Sequence, residues 1–235
     1  MIVSLDTSTL TLSLALLTPS SELVEHRFVG PPKRQSEVLP GEIEAILTAH
    51  GKTLRDVTGF VSGLGPGSFT GLRIGLASIK GLAFALKVPA VGASSLAALA
   101  HEAGEGEWFS CAVVKKGELY VGRYRGAQLL KPEYSLTVAQ LADELKATPG
   151  AKMIGPALTD YRAPLAQLGV GDASFAAGPL VPSAVSLAKL VTMPTAYVAQ
   201  DVFALEPHYL RGSGAEENPK FPPLPGVEPK ARLKE

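Results

Sequence analysis

The sequence predicts a mixed α/β protein in two lobes. Three observations carry this reading. Apolar segments of period two and of helical period follow one another over the first hundred residues as strand, strand, strand, helix, strand, helix, strand, helix. A Gly104-Glu105-Gly106-Glu107 break follows. Beyond it the chain opens on strands again. Organisation of this kind places ligands between the lobes or at the loop ends of a sheet.

The elements are justified in order. Ile2–Leu5 reads as a buried strand ending at Asp6-Thr7-Ser8. Leu10, Leu12, Leu14 and Leu16 alternate with Thr11, Ser13 and Ala15, which predicts a second strand. Thr18-Pro19-Ser20-Ser21 is a turn, and Glu22–Phe28 returns as a third strand, giving an antiparallel meander. Gly30-Pro31-Pro32 breaks the chain. Leu39, Ile43, Ile46 and Leu47 share one face of a helix that starts at Ser36 or Pro40 and runs to His50, with Gly51 as its stop. Thr53–Asp56 is a short capped turn and Phe60–Ser62 a strand. Thr70–Leu86 is the next helix. It keeps Gly71, Gly75 and Gly81, each costing about 1 kcal/mol relative to alanine in an isolated helix, so a neighbour is expected to approach closely. Val88–Val91 is a strand, and Ser94 opens a helix through Glu102.

In the second half, Trp108–Val114, a Lys116-Gly117 turn and Glu118–Tyr124 predict a hairpin. Thr137-Val138-Ala139-Gln140 has capping-box spacing and opens a helix through Lys146. Lys152–Ile154 is a short strand, Ser183–Val191 a helix, and Val202–Leu210 an extended segment. After Arg211 the chain turns proline-rich and poor in large apolar residues, which predicts a flexible or partner-ordered tail. The expected divisions are 1–104, 105–211 and the tail 212–235.

Lysine plus arginine number 22 and so do aspartate plus glutamate. Net neutrality argues against an autonomous nucleic-acid binder, though not against a subunit that meets RNA through a partner. The single cysteine, Cys111, excludes an internal disulfide and reads as a small buried hydrophobe. The N-terminus lacks a basic segment before its apolar run, and no run of about 18 apolar residues suggests a membrane span. A cytoplasmic protein with no membrane partner is the expectation.

The segment Gly63–Gly75, GLGPGSFTGLRIG, joins a strand to a helix. Backbone N–H groups at Gly65, Gly67 and Ser68 could face an anion. The loop is no Walker A motif and lacks dinucleotide-binding spacing. Its other reading is a tight connection that needs glycine for geometry. Asp6-Thr7-Ser8 could hold a hydrated magnesium near phosphates, or could satisfy its own turn. His26, His50, His101 and His208 show no metal-ligand spacing, and no serine lies in GxSxG. Arg73 could reach an anion at the loop or an acidic group on a partner.

Asp6-Thr7-Ser8, the segment GLGPGSFTGLRIGLASIKGLAFALKVPAVGASSL and the late segment EPHYLR together resemble the TsaB (YeaZ) family, over roughly residues 1–211. The resemblance implies a two-lobe, actin-like ATPase (ASKHA, ribonuclease H-like) fold. It also implies a place in the machinery that makes threonylcarbamoyladenosine next to the tRNA anticodon. The family's catalytic relative, TsaD, carries a His-x-x-x-His metal motif where this chain has Ser95 and Leu99. Leucine cannot ligate a metal and serine does so poorly, which implies a noncatalytic partner. No cofactor is then expected on this chain, with ATP and magnesium acting at the level of the complex. The implied partners are a TsaD-like catalytic subunit, a TsaE-like ATPase, a second copy when alone, and tRNA only through the complex. The expected interface lies on the two long helices: Leu39, Ile43 and Ile46, with Leu72, Arg73, Gly75, Leu76, Ser78 and Ile79. Bulky residues at Gly75 or Ser78 should then impair association more than folding. The chain departs from the family pattern at Gln35 and at Val114-Lys115-Lys116. Two alternatives stay open: an active nucleotide-dependent transferase or kinase using Asp6 and the glycine loop, and a glycoprotease-type metallopeptidase.

Overall fold

The computed structural model describes residues 1–30 and 35–208, with Gln35 and Ser36 described by backbone alone. The tail 212–235, and Tyr209–Arg211 of the EPHYLR segment, lie outside the described residues. The first sheet contains β1 (Ile2–Asp6), β2 (Leu12–Leu17), β3 (Leu23–Val29), β4 (Gly59–Gly63) and β5 (Ala90–Ala93) in the order β3-β2-β1-β4-β5. β1, β2 and β3 are antiparallel neighbours, and β4 and β5 join in parallel through helical crossovers. The second sheet holds β6 (Glu107–Lys115), β7 (Glu118–Arg125), β8 (Gln128–Thr137) and β9 (Lys152–Ile154) in the order β8-β7-β6-β9. Its antiparallel meander, with β9 parallel to β6, repeats the plan of the first sheet. The architecture is mixed α/β, two mixed sheets flanked by helices.

Both faces of the first sheet are covered. Val3, Leu5, Leu12, Leu14, Leu16 and Phe60 point to one side, where α1 (Gln35–Thr48) brings Leu39, Ile43 and Ile46, and α2 (Phe69–Leu86) brings Ile79 and Ala83. Ile2, Ala15, Leu17 and Val61 point to the other, against α3 (Ser95–Ala103) and α6 (Ala184–Leu190). Two-sided burial explains why β1 and β2 have no exposed residue. In the second lobe Phe109, Cys111, Leu119, Val121 and Met153 pack with α4 (Val138–Lys146) and α5 (Leu158–Gln167). The opposite face, with Ala112, Tyr124 and Ile154, packs on Leu96, Leu99 and Ala100 of α3. α3 is therefore shared by both sheets.

Several predicted signals hold. Thr137 and Gln140 form a reciprocal capping box on α4, Ser94 caps α3, and Thr53 and Asp56 close a short 3-10 turn. Pro40 lies inside α1, not at its start. Other readings are corrected. Leu10 is outside β2 and 78% exposed. The segment expected to be extended from Val202 begins within a short helix, α7 (Ala199–Ala204), which packs on α2 and β5. The division at 104/105 separates the two sheets, but α6 and α7 return to the first one, so 105–211 does not form the second lobe alone. α2 is long and apolar enough, by length and composition, to cross a membrane. Here its Leu72, Leu76 and Ile79 are buried inside the protein.

Candidate functional site

Strand alternation decides where the residues after β1 point. Asp6 follows Ile2 and Ser4 onto the α3/α6 side of the sheet, and its carboxylate is fully buried. Oδ1 accepts bonds from Ser8 N at 2.8 Å and Ser8 Oγ at 2.6 Å. Oδ2 accepts from Ser95 Oγ at 2.5 Å. Ser95 Oγ in turn accepts from Gly65 N at 3.1 Å, and Ser95 N donates to Gly65 O at 2.8 Å. One serine thus joins β1, the glycine loop and α3. Burial pushes the Asp6 carboxyl above its ordinary 3.8, and the bonds from Ser8 and Ser95 offset part of that rise.

The glycines of the loop serve this closure. A Cβ on Gly63 would stand 2.0 Å from Asp6 Oδ2, and one on Gly67 would stand 2.4 Å from Ser8 O. Gly65 has φ +85°, a conformation that favours glycine. The loop's donors are turned inward: Ser68 N donates to Ser8 O at 2.7 Å, Gly71 N to Ser68 Oγ at 3.2 Å and Leu72 N to Ser68 O at 2.9 Å. With both Asp6 oxygens holding protein donors and no exposure, the site does not fit a hydrated magnesium, which needs open carboxylate lone pairs and room for waters. The magnesium reading of Asp6, Thr7 and Ser8 gives way to the structural one, and the Gly65 and Ser68 amides of the anion reading are taken by Ser95 Oγ and Ser8 O. Thr7 points to the opposite face, where its Oγ1 is buried without a hydrogen-bond partner beneath Gly75.

Ser94, one residue earlier, reaches the second lobe. Its Oγ caps Leu96 N and Ala97 N and donates to Glu133 Oε1 on β8, which also accepts from Tyr124 OH on β7. Burial, with the Glu133 charge beside it, pushes the Tyr124 phenol up. Ser95 and Leu99, at the positions matched to metal ligands, are both buried, and Leu99 packs between the lobes. Among the described residues no group of three or more His, Cys, Asp or Glu could hold a metal ion.

The expected interface residues divide. Leu39, Ile46, Leu72, Gly75, Leu76 and Ile79 are buried within the chain's own fold. A Cβ on Gly75 would stand 2.3 Å from Thr7 Oγ1, so a bulky residue there disturbs the sheet contact first, contrary to expectation. Arg73 is exposed, its guanidinium 3.8 Å from the Phe69 ring centroid. Ser78 and Ile43 line a groove of about 600 Å³ between α1 and α2, with Pro40, Gly41, Glu44, Leu47, Leu54, Ala77, Gly81 and Leu82. Nothing lies within 4 Å of a Cβ built on Gly41 or Gly81. The helices thus carry two stripes, a large apolar one facing the sheet and a small-residue one facing outward. Periodicity revealed the first; the groove needed the helix neighbours to be known.

The family profile described as TsaD, tRNA N6-adenosine threonylcarbamoyltransferase, matches residues 32–175, more than half of the chain. The tRNA threonylcarbamoyladenosine biosynthesis protein TsaB of Escherichia coli K12 is 33% identical over 128 residues, covering 53% of this chain and 54% of that protein. The TsaB of Haemophilus influenzae is 38% identical over 104 residues, 44% of this chain and 43% of that one. The chain thus spans about half the length of the curated relatives it matches. Among solved structures, a Pseudomonas aeruginosa protein described as similar to the peptidase YEAZ superposes with TM-score 0.72 at 25% identity, covering 89% of this chain and 99% of that one. YeaZ from Pseudomonas aeruginosa gives TM-score 0.66 at 27% identity, covering 80% and 90%. With the fold, the glycine loop and the two serines of α3 in place, these likenesses assign the chain to the TsaD family of threonylcarbamoyltransferase-related proteins, on its TsaB/YeaZ branch.

Proposed function

We propose that this chain is a noncatalytic docking subunit of the cytoplasmic machinery that installs threonylcarbamoyl on the adenosine next to the tRNA anticodon. It pairs with a TsaD-type catalytic chain, and with a second copy of itself when that chain is absent. A TsaE-like ATPase joins the complex, tRNA is met through the partner, and ATP and magnesium act at the level of the complex. The observation that carries the reading is the groove between α1 and α2. Its small residues, Gly41, Ala77, Ser78 and Gly81, let a partner helix approach closely, and Leu54 and Leu82 supply apolar area. The turned-in Asp6 and the side chains of Ser95 and Leu99 support a role without chemistry of its own.

The experiment is co-purification with a TsaD-type chain from the same source, followed by a tRNA modification assay with each subunit omitted. Formation of the heterodimer, and modification that requires both chains, is the expected result. Nucleotide turnover or carbamoyl transfer by this chain alone would overturn the reading in favour of an active transferase.

A further inference from the structure

The groove between α1 and α2 is apolar and open, and the same chain carries a segment suited to it. We propose that Phe221-Pro222-Pro223-Leu224-Pro225, in the tail, docks in this groove and competes with the partner chain for it. The inference rests on the reading of the groove as a docking surface.

Placement is the first argument. His208 N donates to Leu64 O at 2.8 Å, so the described chain ends beside the start of the glycine loop, close to the N-terminus of α2. The groove residues Ala77–Leu82 lie roughly 12–20 Å further along that helix at 1.5 Å per residue. A glycine- and serine-containing linker of the length of 209–220 has a root-mean-square span of about 19 Å. That span matches the distance, the condition under which a tethered segment has its highest effective concentration, on the order of millimolar. A segment with only submillimolar intrinsic affinity would then cover the groove for most of the time.

Chemistry is the second argument. Proline presets an extended backbone, so the segment loses little conformational entropy on docking, and Phe221 and Leu224 provide the apolar anchors. The charge balance leans the same way: α1 carries Glu37, Glu42 and Glu44 and no lysine or arginine, and Lys230, Arg232 and Lys234 outnumber Glu228 and Glu235 after the apolar segment.

The test uses Gly81→Cys in the full chain. Gly81 is exposed with open space around it, and the native Cys111 is fully buried, so the new thiol is a single reporter of groove cover. Maleimide alkylation is timed in three forms: with the native tail, with Phe221→Asp and Leu224→Asp together, and with a stop after Arg211. Slower alkylation by about two- to ten-fold with the native tail, unchanged on dilution, is the expected result for a millimolar tether. Equal rates in all three forms would overturn the proposal, as would protection that disappears on dilution, which identifies a second copy as the cover. Binding of the TsaD-type chain to the same tail variants, with Gly81 restored, separates the two readings. Tail-dependent protection without any partner binding sinks the docking-subunit reading alone. Equal alkylation with partner binding intact sinks the tail proposal alone.

Discussion

Ser95 Oγ donates to Asp6 Oδ2 at 2.5 Å, joining residues 89 positions apart and also accepting the Gly65 amide. Ser95→Ala removes one donor from a buried carboxylate and the acceptor from a loop N–H. A loss of about 1–3 kcal/mol is expected, which for a chain of this length lowers Tm by roughly 2–4 °C per kcal/mol. Thermal unfolding of the single variant checks it.

Asp6 also sets a pH dependence. Its folded carboxyl titrates above its ordinary 3.8 because it is buried. The folded state therefore binds the proton more tightly than the unfolded one. The contribution of this group to stability is greatest below 3.8, falls as pH rises to the folded value, and is constant above it. Asp6→Asn removes the titration. The stability of the native protein relative to Asp6→Asn should decline across that window and then level off, as read by denaturant unfolding at a series of pH values.

Two glycines on α2 should respond in opposite ways. Gly75→Val places a branched side chain against Thr7 and costs about 1–3 kcal/mol. Gly81→Arg projects into open space, removes a helix glycine and leaves Tm unchanged or slightly raised. The second variant, not the first, should lose affinity for the TsaD-type chain while remaining fully folded. Circular dichroism and a pull-down, run on both, decide it.

The bond between the lobes can be probed at Glu133. Glu133→Ala leaves the buried Tyr124 hydroxyl and the Ser94 hydroxyl without this acceptor. A cost of about 1–3 kcal/mol is expected. Tyr124→Phe, which removes one donor and keeps the ring, should cost less, and denaturant titration of both variants gives the order.

Much of the site was written in local patterns. Ser94 before an apolar run announces the cap of α3, and Thr137 with Gln140 announces that of α4, because both rest on bonds within three residues. β8 was missed, since Pro132 and the mixed polarity of Gln128–Thr137 hide its alternation. α5 was missed as well; Pro164 lies within it. The assignment of Leu39, Ile46 and Ile79 to a partner failed for a different reason. Periodicity shows that a helix has an apolar face, not which neighbour covers it, and here the first sheet does. The link from Ser94 to Glu133 spans 39 residues and depends on the two lobes meeting, so no local pattern could announce it.

Ser94 and Ser95 are consecutive, yet they grip opposite halves of the molecule. To part the halves, the first turn of α3 must surrender either Glu133 or Asp6. Opening the molecule between its sheets therefore costs at least one charge-assisted bond in addition to the apolar packing of α3.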